Sequence, residues 1–244
     1  MAPTAGTGSP WRPATRRRRA GGGGRSLSRE VIVDRALDIV DAEGMQALSM
    51  RGLAQALDVG AASLYAHVSG KAELVALLLD RVYADLKHPV PDAGHWRAQL
   101  LEFLARARET LGMHRDLAGA ESTAELLASP HTLDCAETVL ALLRAAGLPD
   151  TAAVHGADLL IRHLTWSAVR LGRHAGRSAD GGEGADDCSR ELLRARLAAL
   201  PQERFPVVAS MASVLAEGVG TGEGEEQFDL GLEVIISGLL ARHA

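Results

Sequence analysis

Between Ser49 and Val68 the chain has room for two short helices and the turn that joins them, and this constrains everything around it. Ser49 is a helix N-cap, followed by Leu53, Ala54 and Leu57 on one face. Asp58-Val59-Gly60 supplies turn residues, and a third helix from Ala61 to about His67 buries Leu64 and Val68. Helices over 49–57 and 61–67 with a three-residue joint fit a helix-turn-helix, whose second helix offers its N-terminal residues to the DNA major groove. The same spacing also fits two short helices packed in any helical protein. Ser63, Tyr65, His67 and Lys71, with Arg51 early in the supporting helix, favour DNA. All are donors able to reach phosphates or base edges.

The flanks are helical as well. Ser28 is an N-cap with Glu30 in the first turn, and Ile32, Ala36, Ile39 and Val40 form one face of a helix ended by Gly44. After the Ser69-Gly70 break, a longer helix runs from Lys71 to about Leu86, stopped by Pro89 and Pro91. From Trp96 the pattern predicts helices near 95–112, 114–127, 131–146, 150–174, 187–199, 206–217 and 225–243. No strand-like alternation and no internal repeat interrupts it. The fold class is all-α: a three-helix helix-turn-helix domain at 28–70, a connecting helix at 71–88 and an all-helical domain at 89–244. Residues 1–27, mostly Pro, Gly, Thr, Ser and Arg, read as a disordered basic arm. Gly- and acid-rich 176–187 reads as a mobile loop.

The formal net charge of −5 argues at first against a nucleic-acid partner. Its distribution argues the reverse. Residues 1–88 hold 12 Lys and Arg against 9 Asp and Glu, whereas residues 89–244 hold 14 against 22. Three roles stay open for the arm: a solvated tail, a salt-dependent grip on phosphates, or a reach into the minor groove.

Several functions are excluded. No apolar run approaches the roughly 20 residues that span a bilayer, and no apolar stretch follows the N-terminal arginines as in a secretory signal. The expected location is the cytoplasm, with no membrane partner. Cys135 and Cys188 make no disulfide framework and lack metal-site spacing. No nucleophile–base pair, glycine-rich phosphate loop or pair of catalytic carboxylates stands at meaningful spacing, so the chain is not expected to be an enzyme, and no cofactor is implied.

The residues from Leu27 to Tyr83 carry a resemblance. They include Ser28-Arg29-Glu30-Val31-Ile32, Ala36-Leu37, Glu43-Gly44, Leu48-Ser49-Met50-Arg51, Leu53-Ala54, Leu57, Val59, Ser63-Leu64-Tyr65, His67-Val68 and Lys71. This stretch resembles the DNA-binding domain of the tetracycline-repressor (TetR) family of bacterial transcriptional regulators, and most of all the tetracycline-repressor subgroup. The resemblance implies a base contact from Arg51, a recognition-helix N-terminus at Ala61, Ala62 and Ser63, and backbone grips from Tyr65 and His67. It also implies a phosphate contact from Lys71. Asp58 stands where the family usually has a turn glycine. Ala61 and Ala62 replace polar readers, so direct readout is sparse: alanine can touch only a thymine methyl.

For the rest of the chain the resemblance implies a homodimer on double-stranded, palindromic operator DNA and a pocket for a small-molecule effector. Dimer candidates are Leu160 and Leu164 on one helix and Phe228, Leu232, Ile235 and Leu239 on the last, with Gly231 and Gly238 allowing close approach. Burial of these faces inside one subunit is the alternative. Pocket candidates are Trp96, Phe103, His114, His131, Cys135, His163 and Trp166, each of which also suits ordinary core or surface. His114 resembles the metal-coordinating histidine of the subgroup, but Leu171 stands where its partner acid is expected, with Arg170 and Arg173 nearby. No metal site is therefore expected, and the effector should be small, apolar, and neutral or anionic. The expected function is a transcriptional repressor released from its operator by that effector. A DNA-binding dimer acting as an activator, or without an effector, is the alternative.

Overall fold

Ser28 opens the first helix: its Oγ accepts the Val31 amide at 3.3 Å. Ser49 does the same for the Gly52 amide at 3.1 Å. Both expected caps thus sit where local chemistry requires them. The structure is a computed structural model describing residues 27–114, 116–120, 129–179, 183–218 and 224–243, with the side chains of 120, 173–190, 217, 218 and 224 left out. Residues 1–26 of the arm lie outside the described residues.

The reader is built from α1 (Arg29–Glu43), α2 (Met50–Ala56) and α3 (Ala61–Tyr65), followed by α4 (Lys71–Tyr83). The body comprises α5 (Trp96–Gly112), a 3-10 turn (Ala118–Ala120), α6 (Pro130–Ala145) and α7 (Asp150–Ala179). It continues with α8 (Glu183–Ala198), α9 (Pro206–Ser210), α10 (Ala212–Gly218) and α11 (Gly224–His243). Among the described residues there is no strand. In the reader, Ile32, Ala36, Val40, Leu53, Leu64 and Val68 close on Leu74 and Leu78 of α4. The same core runs on through Leu79, Val82 and Tyr83 of α4 into Leu100, Phe103, Leu104, Ala107 and Leu111 of α5. Around α7 pack α5, α6 and α11, while α8, α9 and α10 pack mainly on one another.

Several boundaries differ from expectation. α3 ends at Tyr65, although the Val68 amide still reaches the Leu64 carbonyl, and α4 ends at Tyr83, where the Ala84 and Leu86 amides reach carbonyls only three residues back. The helix expected over 206–217 is divided at Met211, whose amide is shared between the Val207 and Val208 carbonyls. A loop was expected at 176–187, yet α7 continues to Ala179 and α8 starts at Glu183, with only 180–182 outside the described residues. Each glycine costs a helix only about 1 kcal/mol, and acids in a first turn suit the helix dipole, so that composition does not forbid helix. The expected helix at 114–127 lies largely outside the described residues.

Candidate nucleic-acid interface and effector cavity

α3 is anchored by Leu64, fully buried, and by Val68 just beyond it. With those inward, the helix turns Ala61, Ala62, Ser63 and Tyr65 to solvent, Tyr65 being 52% exposed. Arg51 on α2 is exposed as well. The turn between the two helices places Asp58 at φ 54°, in the left-handed region where aspartate is tolerated in place of glycine. The expected reader residues are therefore exposed, Lys71 among them, except for His67.

His67 is half-buried, and its carbonyl is held from α1: Arg29 donates to it through Nε at 3.2 Å and Nη2 at 2.9 Å. The same Nη2 reaches Glu73 Oε1 at 3.0 Å, while Glu73 Oε2 accepts the Ser69 amide at 2.6 Å. The Ser69 hydrogen bond, helped by Arg29, holds the Glu73 carboxyl below its ordinary value of 4.5. Lys71 is exposed, and its side chain also serves the fold. Its ammonium is committed to the Leu48 carbonyl at 2.8 Å and the Met45 carbonyl at 3.4 Å, so it braces the segment entering α2. The physical reason is that those loop carbonyls have no helical partner and a charged donor satisfies them. Sequence reasoning missed Arg29 and Glu73 as parts of the reader's frame. Their pairing joins positions 44 residues apart and leaves no local signal.

A cavity of about 860 Å³ lies in the body. Tyr83 of α4, Phe103 and Leu104 of α5, and Thr132, Cys135, Val139 and Leu140 of α6 form part of its wall. α7 supplies Val154, His155, Asp158, Ile161, Arg162, Thr165, Trp166 and Val169. This volume suits a drug-sized molecule. Its formally charged pair, Asp158 and Arg162, is bonded internally at 2.9 Å, leaving a mainly apolar wall with a polar edge.

Of the expected pocket residues, Phe103, Cys135 and Trp166 line this cavity, and four do not. Trp96 is half-buried at the start of α5. His114 faces the reader, its Nδ1 2.9 Å from Asp41 Oδ1 on α1, and borders a smaller cleft of about 550 Å³. His131, at the start of α6, is held against Asp80 of α4. His163 stacks on Phe228, with Nε2 2.9 Å from the Phe228 carbonyl oxygen. Tyr83, Thr132, His155 and Thr165 were missed. The α7 members recur at helical spacing beside the apolar stripe, so the signal was present there. The side chain of Arg173 is outside the description, and Leu171 packs against Gly112. Among the described residues, no group of three His, Cys, Asp or Glu could hold a metal ion.

The dimer candidates need correction too. Leu160, Leu164, Phe228 and Leu232 are buried within one subunit, where the inner face of α11 meets α7. Ile235 and Leu239 are half-buried on the same face. For the four buried residues the intrasubunit alternative applies, because the α7 stripe and the α11 stripe cover each other, and a ring-sized space at Gly231 admits His163. Gly238, by contrast, has no neighbour within 4 Å. The exposed large apolar residues of these two helices are Val154, Leu159 and Trp166 on α7 and Leu230 and Val234 on α11.

A helix-turn-helix reader sharing one helix with a body that holds a ligand-sized cavity defines a ligand-responsive DNA-binding regulator. Residues 32–78 match the family model described as bacterial regulatory proteins, tetR family, and residues 88–243 match the tetracyclin repressor-like C-terminal domain. The chain belongs to the TetR family. It is 35% identical over 233 residues to the HTH-type transcriptional repressor DrrR1 of Streptomyces coeruleorubidus, covering 92% of this chain and 82% of that protein. It is 32% identical over 217 residues to an HTH-type transcriptional regulator of Saccharopolyspora erythraea, covering 88% and 85%. Its structure is similar to that of the TetR-family protein ActR of Streptomyces coelicolor in complex with actinorhodin. There the TM-score is 0.74 at 37% identity, over 89% of this chain and 97% of that one. The chain is thus a transcriptional regulator rather than an enzyme, binding operator DNA as a homodimer with a small-molecule effector. Among the described residues, no helix is long and apolar enough to cross a membrane.

Proposed function

We propose that this chain is a cytoplasmic repressor that leaves a palindromic operator when a largely apolar small molecule occupies the 860 Å³ cavity. One observation carries the reading. α4 contributes Leu74 and Leu78 to the reader core and Tyr83 to the cavity wall, so whatever moves one end of α4 is felt at the other. Arg51, Ala61, Ala62, Ser63, Tyr65 and His67 meet the DNA, while Lys71, although exposed, spends its ammonium on the Leu48 carbonyl and frames the reader rather than gripping a phosphate. Leu159 and Trp166 of α7 pack with Leu230 and Val234 of α11 across the dimer axis, where the open side of Gly238 admits a second backbone.

The test is fluorescence anisotropy with labelled DNA from upstream of the gene. A palindromic site bound on the order of 10⁻⁸ M or tighter, against much weaker random DNA, is the expected result. Equal affinity for both DNAs rejects a specific regulator. Actinorhodin, the molecule in the ActR complex, is the first compound to try for release.

A further inference from the structure

Asp80 and Tyr83 lie three residues apart on α4 and so share a face of that helix. Tyr83 belongs to the cavity wall. The Asp80 side chain, 19% exposed, reaches the start of α6. Its Oδ1 accepts the His131 amide at 2.8 Å, and its Oδ2 stands 3.0 Å from His131 Nδ1, a close contact rather than an aligned hydrogen bond. That amide belongs to the first turn of α6, where N–H groups have no partner within the helix and the helix dipole favours a carboxylate. Ser129, in the N-cap position, makes no such cap; its hydroxyl pairs with Thr132. The cap of α6 therefore comes from a different helix, the one built into the reader.

We propose that Asp80 is the positioning residue through which cavity and reader sense each other. Its carboxylate locks the first turn of α6, a cavity wall, to α4. An effector that shifts α6 pulls on Asp80 and tilts α4; DNA that holds α4 steadies α6. This rests on the regulator reading above. Coupling between two binding sites is reciprocal, so operator DNA can serve as the ligand and a cavity residue as the reporter. Cys135 suits that purpose, because it stands one turn after His131, lines the cavity and forms no disulfide.

The experiment uses the full-length dimer carrying Cys188→Ser and follows labelling of Cys135 by a disulfide reagent, 5,5′-dithiobis(2-nitrobenzoic acid). Saturating operator is expected to slow labelling by about fivefold, the lower end of allosteric couplings. In Asp80→Asn, which keeps the size of the side chain and removes the charge, that ratio should fall toward one at the same operator saturation, with thermal melting little changed. Asp80→Glu should recover part of it. A merely structural Asp80 would alter melting and leave the ratio intact. An undiminished ratio in Asp80→Asn overturns the proposal, as does a ratio of one in the unsubstituted protein that binds operator. If anisotropy on the same samples finds no operator binding, the regulator reading falls and takes this proposal with it.

Discussion

The Lys71 ammonium donates to the Leu48 carbonyl oxygen at 2.8 Å, across 23 residues of chain. A cation at the start of α4, on an exposed residue beside the reader, thereby has its ammonium engaged by the frame of the domain. Lys71→Ala should destabilise the protein by about 1 kcal/mol, the usual worth of one net hydrogen bond. Operator affinity should fall with it. The slope of log affinity against log salt should stay unchanged, because no phosphate contact is lost. A slope smaller by about one would restore the phosphate role.

Tyr65 makes the opposite forecast. It is half exposed and nothing in the fold depends on its hydroxyl. Tyr65→Ala should weaken operator binding about tenfold while stability stays within about 0.5 kcal/mol of the parent. Anisotropy and thermal melting on one preparation check both halves.

Glu73 ties reader stability to acid. Its carboxyl is held low by the Ser69 amide, so the ionised form stabilises the folded state above the ordinary value of 4.5. That contribution is lost as pH falls through the depressed folded value. Glu73→Gln should therefore melt below the parent at neutral pH, and the gap should close as pH falls below 4.5 and through the depressed folded value.

Charge on the outer face of α11 should dissociate the dimer. Val234 is 63% exposed and Leu230 65%, while their neighbours Leu232 and Ile236 are buried. Leu230→Arg with Val234→Arg should give a folded monomer by light scattering and lose cooperative operator binding. A persistent dimer would move the interface elsewhere.

The reader was legible because its determinants are local. Ser28 and Ser49 announce their helices, Asp58 marks the turn, and Leu64 and Val68 fall on one face at helical spacing. The body was legible as helices and not as partnerships. An apolar face on α11 looks the same whether it meets α7 of its own chain or of another, so the stripe alone leaves open which neighbour covers Phe228 and Leu232. His163 and His114 failed for a related reason. Their partners, Phe228 and Asp41, lie 65 and 73 residues away, and no pattern in the intervening chain foretells the meeting.

The passage of one continuous core along α4, from reader to body, bears on how such regulators can be recombined. Leu74 and Leu78 complete the reader and Tyr83 completes the body, so no cut within α4 leaves both halves with their own packing. A hybrid that borrows this reader for another body must inherit the whole helix and then rebuild the seam against α5 and α6. Exchange of DNA specificity is therefore cheaper by rewriting the few outward positions of α2 and α3 than by grafting the domain.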